Sequence, residues 1–568
     1  MSGEQEELIY TSEKNGSDET GDGTEAKPFK TILRAILNSG DKPTRMIFVD
    51  GIGDVTYKPA TQMQLKNFSK SFTKDQSNSK EVQDSDKEGQ DIKRSKLEDE
   101  TEPKKKVEDE ETRRKRLEDG KKIILTLDET LPKAETIKIY QAINYRGCRL
   151  KIYGWVHRLR RQGKNLMFIT LRDGTGFLEC VLNDVLCQTY NAILLSNEAS
   201  VMLIGFITEI PKGKNAPGGH EMHVDYWELV AFGPPGGADH IQKAEPDIQA
   251  DNRHIMIRSE RNSKILKMRS VLVQAIREHY FAREYCEVTP PTILKTQGED
   301  ISTLFKVDFF GETAHLTQSS QLYLETCLSS LGDVFCFGQC FIAEKIMTCS
   351  HLAENTLLEV ECPFIELEGL MVRLEDLICD VVDRILKSPY GLIIYELNPD
   401  IEIPEKPFMR MNYSDAIKYL NDNNISRKDG RYFEFGDDIP EMTKRLMADM
   451  INKPILLCRF PSAIKPFYMS KYKENEELTE SIDLLLPDGG EIAGGSMRIW
   501  HLDELLKGYE MVGIDPELYF WYNDQRKYGS CPHGGYGLRL ERLMCWLLNC
   551  KHISEACLYP RYFNNCKF

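Results

Sequence analysis

Residues 80–119 constrain the architecture more than any other segment, because 27 of these 40 residues are charged. A segment with so few apolar side chains cannot bury enough surface to repay the entropy lost on folding. We therefore expect a disordered linker, or a lone solvated helix, between separately folding units. Its basic clusters at 104–106 and 113–116 could instead contact a polyanion.

The charged segment divides the 568 residues into a short N-terminal part and a long C-terminal part. Residues 1–75 alternate short apolar patches with turns, which predicts a small appended domain followed by a linker at 76–122. Hydrophobic residues make up 41% of the chain, a globular level, so the C-terminal part can form a large core.

The composition excludes several classes of protein. A net charge of −16 argues against coating nucleic acid by bulk charge, although it allows a local basic site. No run of 18 uncharged apolar residues occurs, and the acidic residues 1–10 lack a signal-peptide layout, so we expect no membrane association. The 16 cysteines form no C-x-x-C pair, which predicts reduced thiols in a cytoplasmic protein and no zinc site.

A β-rich pattern begins near residue 147 and ends near 235. Five strand-like runs are predicted at 149–156, 165–172, 177–182, 200–208 and 221–232. Five short strands in about 90 residues predict a small closed barrel, of which the OB-fold is the commonest type. We place this domain at 135–235.

A basic turn is predicted between the first two strands of this barrel. Residues 157–164 carry five basic or potentially basic side chains, beside the aromatic residues Trp155 and Phe168. Basic groups hold phosphates and exposed aromatic rings stack on unpaired bases, which is how OB-folds bind single strands. The alternative is a solvated hairpin beside core aromatics, and the segment alone does not decide between the two.

Residues 255–568 mix helical and strand signals and predict an α/β or α+β domain. Three stretches in this domain differ from their surroundings in residue composition. They are an extended segment at 288–291, a polar run at 318–325 followed by 332–344, and a glycine-rich turn that enters a helix at 534–542. Glycines in such a turn let the backbone approach a flat ligand or a phosphate, and an arginine one turn into the helix can hold an anion.

Together these stretches resemble the three signature motifs of the class II aminoacyl-tRNA synthetases, and most closely the asparagine-specific branch of the eukaryotic cytoplasm. Further matching segments lie at 154–168, 410–416, 490–498 and 524–529. The resemblance covers nearly the whole chain. It implies an α+β protein in which an OB-fold barrel precedes a class II catalytic domain built on an antiparallel sheet.

The resemblance also implies the ligands and the residues that bind them. Segment 288–291 resembles motif 1, which builds a homodimer interface. Asparagine would contact Glu299, Gln321 and Arg498, with the arginine on the asparagine carboxylate. The implied ATP-binding residues are Glu344, His351, Leu352, Glu491, Leu540, Glu541 and Arg542. Of these, Glu491 would also bind Mg²⁺ and Arg542 would hold the γ-phosphate, so that the catalytic residues are Glu491, Arg498 and Arg542.

The reaction that the resemblance implies has two steps. The asparagine carboxylate attacks the α-phosphate of ATP, and the terminal ribose of tRNA(Asn) then attacks the activated carbonyl. Catalysis comes from positioning of the reactants and from cations that stabilise the transition state, and no protein nucleophile is needed. In the barrel, Phe168 would stack on an anticodon base near Arg158 and Arg160, while Glu179 stands where a base-contacting glutamine is usual.

The chain departs from the family pattern at its nucleotide-binding motifs. Ile342 stands where an arginine contacts the α-phosphate, and Ser350 replaces a second arginine. Asn355 replaces the aromatic residue that stacks on adenine. Arg539 replaces a glycine, and it could either fill the adenine or phosphate space or supply a charge lost elsewhere. The sequence 299–301 replaces two glycines of the closing loop, which should stiffen it.

Two interpretations therefore stand side by side. In the first, the chain is an asparagine–tRNA ligase of cytoplasmic translation. In the second, it is a catalytically impaired paralogue that binds tRNA or an amino acid as a regulatory protein. The residues Ile342, Ser350, Asn355 and Arg539 argue for weak or lost activity, and a fold alone cannot separate the two interpretations.

Overall fold

The computed structural model forms two compact units, Met1–Glu108 and Asp109–Phe568. The residues that the structure describes are 8–12, 17, 24, 26–28, 30, 46–50, 57–59 and 110–567, except 211–212, 214–215, 296–302 and 346–350. The predictions made for the linker before residue 110, for Glu299 and for Ser350 therefore lie outside the described residues.

The first unit contains a three-stranded sheet. Its strands are β1 (Leu8–Tyr10), β2 (Met46–Asp50) and β3 (Tyr57–Pro59). Strand β1 runs parallel to β2, and β2 runs antiparallel to β3. These strands fall within the small domain predicted at 1–75, whose bounds stay a prediction.

The second unit begins with helix α1 (Glu110–Lys121), which covers the end of the predicted linker. Acidic residues lie in its first turn and a lysine in its last, the arrangement that a helix dipole favours. Gly120 is buried because the helix end packs on the barrel: a Cβ there would lie 2.9 Å from the carbonyl oxygen of Gln188.

The predicted closed barrel follows. Its strands are β4 (Glu135–Thr136), β5 (Arg149–Gln162), β6 (Leu166–Arg172), β7 (Phe177–Asn183), β8 (Ser200–Glu209) and β9 (His220–Ala231). They run in the order β4-β5-β6-β7-β9-β8, and a β5–β8 pairing closes the ring. Buried side chains alternate with outward-facing ones, as in β6, where Met167, Ile169 and Leu171 fill the interior. The five strands of the sequence-based prediction are confirmed.

One detail of that prediction is wrong. The basic segment is not a turn, because β5 continues to Gln162, which pairs with Leu166, so that the turn is confined to 163–165. Hairpin pairing with β6 satisfies the backbone of this segment. Arg158 and Arg160 are consequently fixed on a strand, opposite Thr170 and Phe168.

Helix α2 (Tyr190–Leu194) lies between β7 and β8 of the barrel. Three short helices then lead to the C-terminal domain: α3 (Asp239–Gln242), α4 (Pro246–Asp251) and α5 (Arg253–Met256). A buried carboxylate ties the two domains together. Glu198 of the barrel accepts hydrogen bonds from Arg172, 2.6 Å, and from Arg258, 2.9 Å, just before the first long helix.

The C-terminal domain is built on an eight-stranded sheet with further short strands. In chain order the strands are β10 (Cys286–Glu287), β11 (Ile293–Leu294), β12 (Lys306–Phe309), β13 (Glu312–Leu316), β14 (Val334–Phe341), β15 (Glu354–Pro363), β16 (Met409–Asn412), β17 (Ile455–Cys458), β18 (Lys471–Tyr472), β19 (Asn475–Thr479), β20 (Ser481–Leu486), β21 (Gly490–Met497) and β22 (His533–Arg539). The large sheet has the order β10-β14-β15-β22-β21-β20-β17-β16. It is antiparallel except at its two edges, where β10 and β16 run parallel to their neighbours.

Nine α-helices accompany this sheet within the described part of the domain. They are α6 (Glu260–Phe281), α7 (Gln321–Leu331), α8 (Leu367–Lys387), α9 (Gly391–Leu397), α10 (Tyr413–Asp422), α11 (Glu441–Ile451), α12 (Leu502–Val512), α13 (Phe520–Lys527) and α14 (Leu540–Leu548). No helix among the described residues is both long and apolar enough to cross a bilayer.

The two faces of the sheet differ in chemistry because side chains alternate along each strand. Leu358, Val360 and Cys362 of β15 point into the main core, which helices α6, α8 and α14 cover. The intervening residues Glu359 and Glu361 point to the opposite face. The sheet therefore buries one apolar face and presents a polar face, on which a site can form.

Candidate active site

A cavity of about 510 Å³ lies on the polar face of the large sheet. Strands β14, β15, β20, β21 and β22 form its floor, and the start of α7 forms part of its wall. The residues singled out from the sequence that line it are Gln321, Ile342, Glu344, Glu491, Arg498, Arg539 and Arg542. Segments far apart in the chain thus meet in one cavity.

Four residues assigned to ATP from the sequence lie outside this lining. His351 is half-buried, while Leu352 and Leu540 are buried apolar residues. Glu541 is also buried, and its carboxylate lies 2.8 Å from the guanidinium of Arg269 and accepts the backbone N–H of Thr356 at 3.1 Å. These contacts give Glu541 a role in fixing strand β15.

A buried ion pair defines one end of the cavity. Arg498 donates from Nε and Nη2 to the two carboxylate oxygens of Glu361, both at 3.1 Å, and from Nη1 to the Ser496 hydroxyl at 2.8 Å. Burial raises the pKa of Glu361, with Arg498 opposing the change and Glu325 adding to it. This end of the cavity therefore offers both a donor and an acceptor.

A second buried network supports that pair. Glu325 accepts hydrogen bonds from Arg526 at 2.6 Å and from the Tyr522 hydroxyl at 2.7 Å, and the His533 ring lies 2.9 Å away. Burial alone would raise the pKa of Glu325, but the charge of Arg526 and contact with His533 lower it overall. Gln321 donates to the same carboxylate at 3.1 Å, which fixes the orientation of its amide.

Two carboxylates and a histidine of these networks lie close enough together to be compared with a metal site. Within the described part of the chain, Glu325, Glu361 and His533 offer three ligand atoms that lie within 4.8 Å of one another. Arg526 and Arg498 already donate to the two carboxylates. The cluster is thus balanced by arginines, and a cation there would face two positive charges.

Sequence reasoning missed Glu359 and Glu361. Glu359 accepts from the Ser319 hydroxyl at 2.5 Å and from the backbone N–H of Ser320 at 2.8 Å, where α7 begins. The positive end of the helix dipole stabilises a carboxylate at that position. The signal was present in the sequence, because 357–362 reads Leu-Leu-Glu-Val-Glu-Cys, with charges at alternate positions of an otherwise apolar strand.

The other end of the cavity contains the residues that depart from the family pattern. Ile342 contributes an apolar side chain to the lining, where a cation was expected. Arg539 lines the same space, and among the described residues its guanidinium has no ion pair. Burial lowers the pKa of Arg542, and the charge of Arg539 lowers it further, so the two arginines repel one another.

Arg542 is held by the protein through one of its three nitrogens. Its Nη1 donates to the backbone oxygen of Glu491 at 2.7 Å and to the Glu441 carboxylate at 3.2 Å. Its Nε is buried and has no hydrogen-bond partner among the described residues. No hydrogen bond from Nη2 occurs among the described residues either, so three of the five N–H groups of this arginine are left for a ligand.

Asn355 lies on β15 opposite Cys340, on the same face as the cavity residue Leu357. It is 5% exposed, and its Oδ1 has no hydrogen-bond partner in the described part of the chain. A buried amide of this kind gives adenine no aromatic surface to stack on.

A carboxylate pair lies beside these arginines. Asp483 and Glu491 stand on the neighbouring strands β20 and β21, and the ammonium of Lys444 bridges them at 2.6 Å and 2.7 Å. Burial would raise the pKa of Glu491, but Lys444 and Arg542 lower it. Sequence reasoning found Glu491 and missed Asp483 and Lys444, and no local pattern marks that lysine.

The residues predicted to read an anticodon share the outer face of the barrel. The guanidinium of Arg160 lies 4.4 Å from the centre of the Phe168 ring, a cation–π contact. Arg158 lies one row further along, 3.7 Å from Glu260. In that row Glu179 accepts a hydrogen bond from the Thr170 hydroxyl at 2.8 Å.

Known family models match three parts of the chain. The model for class II tRNA synthetases (D, K and N) matches residues 245–562, and the model for OB-fold nucleic acid binding domains matches residues 150–230. A model of the asparaginyl-tRNA synthetase N-terminal domain matches residues 24–101. A barrel followed by an antiparallel catalytic sheet is thus the fold of a class II aminoacyl-tRNA synthetase.

Individual relatives narrow this class. The cytoplasmic asparagine–tRNA ligase of Mus musculus is 53% identical over 562 residues, which cover 98% of this chain and 97% of that protein. The Saccharomyces cerevisiae counterpart is 41% identical over 568 residues, with 98% and 99% coverage. The Entamoeba histolytica asparaginyl-tRNA synthetase in complex with asparaginyl-adenylate is 43% identical and aligns with a TM-score of 0.74, covering 77% of this chain and 100% of that one. The chain belongs to the asparaginyl-tRNA synthetase family.

Proposed function

We propose that this chain recognises asparagine and tRNA(Asn) in the cytoplasm, as its family does, and that its formation of asparaginyl-adenylate is strongly weakened. One observation carries the proposal. A single cavity joins a fully built amino-acid end, at Glu361 and Arg498, to a nucleotide end in which Ile342 replaces a cation.

The amino-acid end suits a carboxamide. A carboxamide has both an acceptor oxygen and a donor NH₂ group, whereas a carboxylate only accepts. Arg498 keeps N–H groups on Nη1 and Nη2 beyond those used by Glu361 and Ser496, and Glu361 keeps free lone pairs. Asparagine matches this pair, and aspartate would place its charge against Glu361. The assignment of Arg498 to the asparagine carboxylate stays a prediction, and its pairing with Glu361 favours the side-chain amide instead.

The nucleotide end supports weak adenylate chemistry. Negative charge is redistributed at the α-phosphorus during attack by the asparagine carboxylate, and loss of one preorganised contact typically costs about 10²–10³ in rate, or about 3–4 kcal/mol. Ile342 supplies no such contact. Arg542 is held by Glu441 and by the backbone of Glu491 through Nη1, which leaves only its Nε and Nη2 groups for a phosphate.

ATP is the nucleotide of the family reaction, and Mg²⁺ was predicted at Glu491. The residues present do not fit that ion, because the Lys444 ammonium already bridges Glu491 and Asp483. We therefore derive no step through a metal. Binding and orientation of asparagine by the Glu361–Arg498 pair remain available without it.

Contact with tRNA is supported by the barrel. Arg158, Arg160 and Phe168 share its outer face, where basic groups and an aromatic ring can hold a backbone and stack on a base. A homodimer is supported by apolar side chains near segment 288–291, since Phe281 is 54% exposed and Ile293 is 45% exposed.

A second candidate function is a regulatory protein that binds tRNA or asparagine without catalysis. The loss of a cation at Ile342, together with the ammonium at the carboxylate pair, favours it over a fully active ligase. The two candidates share the binding sites and differ only in turnover.

Calorimetry and tRNA binding test the shared part of the proposal. We expect asparagine to bind without ATP, and Arg498→Ala to abolish that binding. We expect tRNA(Asn) to bind, and Phe168→Ala to weaken binding by about 1–3 kcal/mol, the usual contribution of one base–aromatic stack. Asparagine binding unchanged by Arg498→Ala would remove the basis of the amino-acid assignment.

A further inference from the structure

We propose that the ammonium of Lys444 takes the place of a divalent metal ion between Asp483 and Glu491. The nucleotide end of the cavity would then carry a cation tethered to the chain. This inference goes beyond the proposed function, and it holds whether or not the chain forms an adenylate.

The geometry places one nitrogen between two carboxylates. Lys444 lies on α11, which packs on β20 and β21, and its Nζ is 2.6 Å from Asp483 Oδ2 and 2.7 Å from Glu491 Oε2. Both distances are those of charge-assisted hydrogen bonds. Any ion that bridged the same two oxygens would have to occupy the position of this nitrogen.

A divalent ion does not fit beside the lysine. Mg²⁺ demands near-octahedral oxygen ligands at about 2.0–2.1 Å and usually keeps several waters. An ion on these oxygens would lie within about 3 Å of the ammonium, where like charges repel strongly at low dielectric. Lys444 is only 7% exposed, so its side chain has little space in which to move away from the two carboxylates.

The charge balance around the pair agrees with this geometry. Lys465 adds a second ammonium 3.4 Å from Asp483 Oδ1, and it also lies 3.8 Å from the centre of the Phe460 ring. Three carboxylates face three cationic side chains in this cluster: Asp483, Glu491 and Glu441 against Lys444, Lys465 and Arg542. The formal charges of these six groups cancel before Arg539 is counted, so a divalent ion would leave an excess of at least two positive charges in a largely buried place.

Replacing the lysine should restore a metal site. Without the Lys444 charge, Asp483 and Glu491 become an unbalanced carboxylate pair, which is the oxygen donor set that Mg²⁺ and Mn²⁺ prefer. In the unmodified chain, phosphate groups entering this end would meet Arg539 and Lys465 in place of a metal ion.

Mn²⁺ binding to the full-length chain tests the inference. The free Mn²⁺ signal is followed by electron paramagnetic resonance, and thermal unfolding is recorded with and without Mn²⁺. We expect the unmodified chain to leave both unchanged. We expect Lys444→Met to bind one Mn²⁺, with a roughly 100-fold shift of its unfolding equilibrium at a free concentration about 100 times the dissociation constant.

Four further variants, among them Glu491→Gln alone, complete the test. Adding Glu491→Gln to Lys444→Met should remove the Mn²⁺ effect, and Lys453→Met, at an exposed lysine just beyond the same helix, should behave as the unmodified chain. Lys444→Gln, which keeps a hydrogen-bond donor without the charge, is measured in parallel because the methionine variant is more prone to misfold. Two results would overturn the inference: one Mn²⁺ bound by the unmodified chain and lost on Glu491→Gln, or folded Lys444 variants that bind no Mn²⁺.

Discussion

Replacing Glu361 by glutamine should convert a selective amino-acid site into an unselective one. The carboxylate is 1% exposed and accepts hydrogen bonds from Nε and Nη2 of Arg498, both at 3.1 Å. In our account it also accepts the side-chain NH₂ of asparagine. A hydrogen bond to a charged group contributes about 1.5–3 kcal/mol, so its loss should weaken asparagine binding by about 10–150-fold.

The same change should affect aspartate in the opposite direction. Aspartate is excluded in our account because its carboxylate would face Glu361, and the neutral amide removes that repulsion. Arg498 would then carry an unbalanced charge that a carboxylate ligand can satisfy. Glu361→Gln should therefore bind aspartate at least as well as asparagine.

Calorimetric titration of both amino acids without ATP measures these effects. Glu344→Gln is the matched control, since Glu344 lines the same cavity at its nucleotide end and is exposed. The control should bind asparagine as the unmodified chain does. Unchanged asparagine affinity and continued exclusion of aspartate in a folded Glu361→Gln chain would refute the role given to this carboxylate.

Three further predictions concern activity, acid stability and assembly. Ile342→Arg combined with Arg539→Gly and Asn355→Phe should partly restore ATP–pyrophosphate exchange, whereas Ile342→Arg alone should not; recovery stays partial because Lys444 remains at the carboxylate pair. Burial would raise the pKa of Glu325, but its cationic neighbours lower that pKa overall. The ionised carboxylate therefore stabilises the fold above about pH 4.5, and this stabilisation is lost as the pH falls below that value. Acid unfolding of Glu325→Gln should lack this pH-dependent contribution. The chain should sediment as a dimer at micromolar concentration, and a stable monomer would contradict the role given to segment 288–291.

The sequence was sufficient where a feature depends on local alternation. The strands of the barrel appear within one or two residues of their predicted bounds, except for β5, which runs on to Gln162. The same alternation is present at Glu359 and Glu361 on the floor of the cavity, yet sequence reasoning missed both residues.

Features that depend on distant parts of the chain could not be predicted in this way. Lys444 meets partners 39 and 47 residues away, and nothing within its helix distinguishes it from a solvated lysine. Glu541 belongs to a family motif, yet its carboxylate forms an ion pair with Arg269, which lies far earlier in the chain. Tertiary packing decides which charged group is free for a ligand, and that choice leaves no local pattern.

The rate of asparagine-dependent ATP–pyrophosphate exchange measures whether this chain forms asparaginyl-adenylate. The unmodified full-length chain is assayed with saturating asparagine, ATP and Mg²⁺, beside a relative that has arginine at the position of Ile342. We predict exchange at least about 10³-fold slower than in that relative, because the contact at the α-phosphate is missing and Asn355 offers adenine no aromatic surface. Exchange at a rate comparable with the relative would contradict the account and show that Arg539 or Lys345 has taken over the α-phosphate.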